Sequence, residues 1–496
     1  MILRPYANAL FSMSIFFGLS FTASASDAKL GENLRAHLAD KAVKQADIMI
    51  YLSSQADLSG AKNLKSKAEK GRFVVNALRD TAKTSQKSIL SKLSKAGLSY
   101  DSYYLGNIIV AFDAPVQLIE ELSADKDVAR ILHNPVVSVI PEISKEQLTS
   151  EEFLGTGDNI ISTGASKVWT ELSNKGEGIV VAGQDTGIDW DHPALIRNDR
   201  GKTANGVDHN FNWHDAIRAP VAGGTNTCGY ASTQPCDDHG HGTHTIGTSV
   251  GDDGATNQIG MAPGATWIGC RNMDNGLGRP STYLECFQYF LAPWAYGADP
   301  ASGDAEKAPD VINNSWGCPT SEGCNGTEFI GVINSLNAAG ILTVAAAGND
   351  GSSCSTIKDA PAHHTAEVLT VGAHDHRSGN IASFSSRGPS KFDGLTSPDF
   401  TAPGVSVRSS IPGGGYASAM WSGTSMASPH VAGAVALLWS AVPALKGDIT
   451  GTVNLFKATA TGKTSTQNCG GVSGQTIPNN TFGHGLLDVY KAVTQR

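Results

Sequence analysis

No cysteine precedes Cys228, and the eight cysteines of the chain (Cys228, Cys236, Cys270, Cys286, Cys318, Cys324, Cys354 and Cys469) include no C-x-x-C spacing. That argues against a zinc ribbon. H-E-x-x-H is absent as well. No stretch after the N-terminus reaches the ~18 apolar residues that a membrane-spanning helix needs. Charge is sparse, at 17% of residues, and the balance is acidic: 37 Lys and Arg against 46 Asp and Glu, a formal net charge of −9. It is also unevenly spread, with 18 basic and 15 acidic residues in 1–150 but 19 and 31 in 151–496. An acidic main body argues against nucleic-acid binding. The plain explanation of the split is solubility; the alternative is that a slightly basic N-terminal part docks on the acidic remainder.

What is present is globular: 496 residues, 40% hydrophobic, with 55 glycines, a length that suits two or three domains. Residues 1–25 read as a secretory signal, with Arg4 as a minimal basic start, Leu10 to Phe21 as a short apolar core and Ala23-Ser-Ala25 as the cleavage pattern. The product is expected outside the cell or in the periplasm. In an exported chain the cysteines predict disulfides confined to the region after residue 200. Short spacing favours Cys228–Cys236 and Cys318–Cys324, which leaves Cys270–Cys286 and Cys354–Cys469. Between residues 45 and 143 the pattern is strand (Ile48 to Leu52), helix (Lys62 to Ala96, stopped by Gly97), a strand region (Ser102 to Phe112), a short helix (Pro115 to Leu122) and a last strand (Val136 to Ile140).

Three later segments carry chemistry. Trp421-Ser-Gly-Thr-Ser-Met-Ala-Ser-Pro-His-Val-Ala-Gly433 sets Ser425 at the start of an apolar helix, where free N–H groups and the positive dipole end favour a developing oxyanion. A serine hydroxyl there needs a base, and the base an orienting acid. Glu177 to Ile188 predicts a buried strand delivering Asp185 at its C-terminal end, and Asp238 to Gly247 supplies His241 at a second helix start. In a parallel α/β sheet such strand ends and helix starts share one edge.

Asp185-Thr-Gly187, His241-Gly-Thr-His244 and Gly423-Thr-Ser-Met-Ala-Ser-Pro-His430 resemble the three signatures of subtilisin-like serine proteases, the subtilases, in the same chain order. The resemblance runs from about Asn159 to the C-terminus. Arg271-Asn-Met-Asp274, Asn313-Asn-Ser-Trp-Gly-Cys318 and Arg408 to Gly415 look more like the bacillopeptidase-F-like branch. It implies an α/β, three-layer fold with a mostly parallel central sheet over 151–496, and a serine endopeptidase acting on polypeptides. Asp185, His241 and Ser425 would be its triad and Asn349, in Ile341 to Asp350, the side-chain oxyanion donor. Ser315, Trp316 and Gly317 would form one wall of the P1 pocket, with Ala347 and Gly348 opposite. Asp350 beside that wall is either a solvated carboxylate or an attraction for a basic P1 side chain, and Lys358 and Asp359 fall near the expected pocket floor.

Residues 26–150 resemble the inhibitor-type propeptide of subtilases, a small α+β ferredoxin-like domain, released by self-cleavage between Glu142 and Asp158. An ordinary attached domain is the alternative. No cofactor is required for the chemistry. Calcium has no support: Ala194 follows His192-Pro193 where the family often has a carboxylate, and Asp252 and Asp253 suit a solvated turn. His209 and His214 are expected at the surface, and the chain to be a monomer without a membrane anchor. With Phe482 to Asp488 close to Arg496, no C-terminal module is expected. Asp237, Asp238, His239, His241 and His244 also invite a metal-site reading, but that leaves Ser425 and Asn349 unexplained. A non-catalytic member would be expected to lose a triad residue, and sedolisin-type acid peptidases, which share Gly-Thr-Ser, have no catalytic His.

Overall fold

The computed structural model describes residues 27–140, 146–147, 155–221, 226–364, 366–417 and 419–495. The predicted leader and most of the segment from Glu142 to Asp158 lie outside them. The first unit runs α1 (Glu32–Leu38), β1 (Gln45–Leu52), α2 (Lys67–Ser85), α3 (Lys87–Lys95), β2 (Tyr100–Tyr103), β3 (Ile108–Pro115), α4 (Val116–Ser123) and β4 (Val128–His133). Its strands form an antiparallel sheet in the order β2-β3-β1-β4. Ser66 starts α2 through a reciprocal cap with Glu69. The single helix expected to Ala96 is divided at Gln86, whose buried amide donates to the Tyr103 carbonyl and to Asn107 Oδ1.

Strand alternation gives this sheet two apolar faces. Ile48, Ile50, Ile109 and Ile131 face Ile89, Leu93, Ile119 and Leu122 within the unit. Met49, Tyr51, Ile108 and Leu132 join a core with Tyr283, Leu284 and Phe287 of the larger unit.

Two short strands follow, β5 (Val137–Ser138) and β6 (Glu146–Gln147). The closing strand of the small sheet is therefore Val128–His133, not the expected Val136 to Ile140, which crosses to the larger unit instead. That unit contributes β7 (Val180–Asp185), β8 (Trp213–Asp215), α5 (His241–Val250), β9 (Thr266–Arg271), β10 (Met273–Asp274), β11 (Leu277–Gly278), α6 (Pro280–Leu291), β12 (Val311–Asn314), β13 (Leu342–Ala346), β14 (Leu369–His374), β15 (Phe400–Pro403), β16 (Ala419–Met420) and α7 (Thr424–Ala441). Seven of these strands form one parallel sheet in the order β8-β9-β7-β12-β13-β14-β15. Both faces are buried, as a parallel sheet requires. Ala182, Ile268, Ile312 and Ala345 pack with α6, while Val181, Val311, Val344 and Val371 pack with α5 and α7.

Helix α7 is buried over Thr424 to Trp439, and Pro429 lies inside it. Proline has no N–H to give the carbonyl four residues back. That carbonyl belongs to Ser425, and it accepts the Ser315 hydroxyl at 2.9 Å instead.

The two units touch through β5 on β11 and β6 on β16, both antiparallel, and through ion pairs. Lys67 reaches buried Asp310 at 2.8 Å, while Arg279 and Arg218 of the larger unit reach back to Asp47 and Asp101. Charge therefore crosses in both directions, not only from a basic small unit to an acidic large one. His209 and His214 are not surface residues: the first is 7% exposed, and the second donates to the Glu285 carboxylate at 2.6 Å beside Tyr289 and Trp294. All eight cysteines are paired, as Cys228–Cys236, Cys270–Cys286, Cys318–Cys324 and Cys354–Cys469.

The Ser315 exchange makes a prediction. Ser315→Ala leaves a buried carbonyl unmet and should lower unfolding stability by about 1–3 kcal/mol. In a double-mutant cycle Pro429→Ala, which restores an N–H, should recover part of that loss; strict additivity would refute the link. Loop length orders the disulfides too. Denaturant unfolding should show a larger loss on removing Cys354–Cys469 (separation 115) than Cys228–Cys236 (separation 8), roughly 5 against roughly 2.5 kcal/mol.

Candidate active site

Asp185 is the last residue of β7, held between β9 and β12, and its carbonyl accepts the Asn272 N–H at 2.9 Å. The chain then turns through Gly187, where φ is +127° and a Cβ would lie 1.8 Å from the Cys236 carbonyl oxygen. His241 opens α5. Asp237 caps that helix, its carboxylate accepting from the N–H groups of Gly240 and Thr243 and from the Thr186 hydroxyl. A Cβ on Gly242 would stand 2.1 Å from the Gly187 carbonyl oxygen and 3.0 Å from the Asp185 Cβ, so only glycine lets this helix meet the Asp185 turn. The result is a 2.7 Å hydrogen bond between His241 Nδ1 and Asp185 Oδ1, with both residues buried. The same Oδ1 accepts the Thr186 N–H at 2.7 Å.

Ser425 lies in the first turn of α7, where N–H groups have no acceptor within the helix. Its hydroxyl donates to the Ser315 carbonyl at 3.0 Å. Asn349 follows β13, and its Oδ1 accepts the Thr424 N–H at 3.0 Å and the Thr424 hydroxyl at 2.9 Å. That anchoring leaves the amide nitrogen facing Gly423: a Cβ there would lie 3.3 Å from Asn349 Nδ2 and 3.7 Å from the Ser425 nitrogen. Two N–H-bearing nitrogens thus border one small space that glycine keeps open. The two halves of the site meet at Trp421, whose ring stacks on His244 at 4.5 Å and lies 6.5 Å from the His241 ring. Burial, reinforced by the neighbouring His241, lowers the His244 imidazole to about 3, so it is neutral.

A cavity of about 400 Å³ adjoins Asn349. Gly317, Ala347 and Gly348 line it, together with Pro319, Ala346 and Ala362. Ser315 and Trp316 do not. The Ser315 side chain is turned to Ser425 and Ser428, and Trp316 is fully buried against Tyr283 at 4.1 Å. Trp316 follows the end of β12, and its ring packs among Tyr283, Phe287 and Phe329 in the core. Asp359 lines the cavity, whereas Lys358 pairs with Asp350 at 3.3 Å.

One rim of the cavity is the chain's own Ser138, Val139 and Ile140. Val137 pairs with Gly278, the Val139 N–H donates to the Gly276 carbonyl at 2.7 Å, and the Ser138 N–H donates to Glu322 Oε2 at 3.0 Å. Glu322 was not anticipated; the six-residue Cys318–Cys324 spacing next to Gly317 was the available signal. Gln184, unexplained by sequence, belongs to a buried amide chain with Asn272 and Asn314 behind the Asp185 strand.

The residues of the metal-site alternative are dispersed among other partners. Asp238 pairs with buried Arg271, His244 Nε2 contacts the Val407 carbonyl, and Asp237 is the helix cap. Asp252 and Asp253 organise their own turn, accepting from Gly254 and from Ala255 and Asn257. Among the described residues no three His, Cys, Asp or Glu side chains are grouped to hold a metal.

Comparison with known proteins identifies the family. Residues 176–485 match the model of the subtilase family. Bacillopeptidase F of Bacillus subtilis (strain 168) is 34% identical over 472 residues, 91% of this chain and 30% of that protein. The thermophilic serine proteinase of Bacillus sp. (strain AK1) is 35% identical over 272 residues, and subtilisin E of Bacillus subtilis (strain 168) 33% over 269, each across 54% of this chain. The matched regions span 54% and 57% of those two proteins. With a family match over more than half its length and an aspartate, a histidine and a serine where the signatures require them, the chain belongs to the subtilase family.

Proposed function

We propose that the chain is a secreted serine endopeptidase that hydrolyses polypeptides through an acyl-enzyme and is made as a self-processed zymogen. The observation that carries the reading is the 2.7 Å Asp185–His241 contact beside a buried helix whose first turn bears Ser425. His241 takes the Ser425 proton as the hydroxyl attacks a peptide carbonyl, while Asp185 holds the imidazole tautomer and stabilises the imidazolium. Asn349 Nδ2 and the Ser425 N–H receive the oxyanion; a lost side-chain donor of this kind costs about 10²–10³ in kcat. His241 then protonates the leaving amine, and water repeats the sequence on the acyl-enzyme. No cofactor takes part, and calcium has no support in the residues.

In this reading residues 1–25 are the signal, 26–150 the inhibitor-type propeptide and 151–496 the catalytic domain. The strand order β2-β3-β1-β4 with interposed helices supports a ferredoxin-like propeptide. Its inhibitory role is supported by β5, which adds to β11 as a bound peptide would and brings Ile140 to the cavity rim. The active form is a monomer with polypeptide substrates, without nucleic acid or membrane anchor, and its four disulfides suit an extracellular or periplasmic setting.

Incubation with denatured proteins and mass spectrometry of the fragments tests the activity. Ser425→Ala and His241→Ala should each lower kcat by about 10⁶. Turnover within tenfold of wild type would remove these residues from the chemistry. Ser425→Ala protein should also accumulate with residues 26–150 still covalently joined, and its maturation at the normal rate would assign the cut to another protease.

A further inference from the structure

The cavity beside Gly317 and Asn349 has a chemistry that peptide hydrolysis alone does not call for. Gly317, Ala346, Ala347 and Ala362 give it walls with no side chain larger than a methyl group, yet Glu322, Asp350 and Asp359 share the lining. The three carboxylates differ. Asp350 is half exposed and paired with Lys358. Glu322 accepts the Ser138 N–H at the rim. Asp359 has a buried Oδ1 with no hydrogen-bond partner among the described residues. Its Cβ lies 3.5 Å from where a Cβ on Gly317 would stand, and Ile140 Cδ1 lies 3.7 Å from the same point. Among the described residues of the segment after Val137–Ser138, the side chain at the level of this carboxylate is the aliphatic Ile140, which carries no charge.

We infer that this cavity selects a basic P1 side chain, arginine or lysine, and that Asp359 is the residue that selects it. The inference rests on the endopeptidase reading above. A basic side chain has the two parts the cavity matches: an aliphatic stem to lie along glycine and alanine walls, and a cation to reach a carboxylate. A buried carboxylate oxygen without a hydrogen-bond partner is costly, and an entering cation relieves that cost. An aromatic side chain would fill the volume but leave Asp359 uncompensated, and an acidic one would meet three like charges. Burial pushes the Asp359 carboxyl up to about 6, with Asp350 and Glu322 adding to the rise and Lys358 and Lys391 opposing it. With the cavity filled, by Ile140 or by a substrate side chain, Asp359 is thus mostly ionised at pH 8 and protonated at pH 5.

The test uses the mature protein and peptides that differ only at P1: arginine, lysine, phenylalanine or glutamate. At pH 8, kcat/KM for arginine and lysine should exceed that for phenylalanine by about tenfold or more, with glutamate lowest. Asp359→Asn should lower the arginine-to-phenylalanine ratio by about tenfold. In wild type the same ratio should fall between pH 8 and pH 5 as Asp359 takes up its proton; protonation of the triad is common to both substrates and cancels. Equal rates for arginine and phenylalanine in wild type, or a ratio unmoved by Asp359→Asn, would overturn the assignment and leave the endopeptidase intact. Should that variant not fold, the wild-type P1 series and its pH dependence still decide. Failure to cleave any peptide would instead sink the endopeptidase reading, and this inference with it.

Discussion

The helices that begin at His241 and Thr424 lie against each other with almost no side-chain bulk between them. A Cβ on Gly433 would stand 2.7 Å from the Ser249 carbonyl oxygen and 2.5 Å from the Met261 Cβ, and one on Gly247 would stand 2.1 Å from Ser410 Oγ. Ser249 Oγ donates across the gap to the Pro429 carbonyl at 3.2 Å. This spacing governs how far the imidazole at one helix start is held from the hydroxyl at the other. Packed interiors transmit such constraints because they contain little free volume. The small residues that crowd both motifs are therefore as much a part of the site as the groups that titrate.

A second constraint acts on the Asp185 side. The carboxylate sits at the end of a central strand, and the turn after it is pressed between Gly242 and the Cys236 carbonyl. Asp237 caps the His241 helix and also binds Thr186, so one side chain ties the acid's turn to the base's helix. Neither His241 nor Asp185 can move without disturbing backbone hydrogen bonds, so the surrounding main chain fixes the geometry of the pair. The smaller unit adds to this frame from outside. Its sheet shares a core with α6, and its tail completes the edge formed by β10 and β11.

Much of this was legible in the residues. Apolar runs ending in Asp185 and near Asn349, and small-residue helices opening at His241 and Ser425, are local signals, and local signals survive folding. What escaped depended on partners distant in sequence. Val128–His133 has the burial pattern of a half-covered strand and was passed over for Val137, whose partner Gly278 belongs to the other unit. His214 looked like a surface residue because Glu285, Tyr289 and Trp294 come from a helix far along the chain. Trp316 was placed in the cavity wall by resemblance, while its ring packs inward against Tyr283, Phe287 and Phe329, which lie far from it in sequence. Lys358 and Asp359 both fell near the expected pocket floor, and only the fold separates them: Asp359 lines the cavity while Lys358 pairs with Asp350.

Pro429 carries one more consequence. By withholding an N–H from its own helix, it hands the Ser425 carbonyl to Ser315, and the Ser315 carbonyl in turn receives the Ser425 hydroxyl. The serine is thereby bolted to the segment that leads into Gly317 and not only to the rod it begins. Any displacement of the segment that leads into Gly317 therefore reaches the Ser425 hydroxyl and carbonyl together, through one residue.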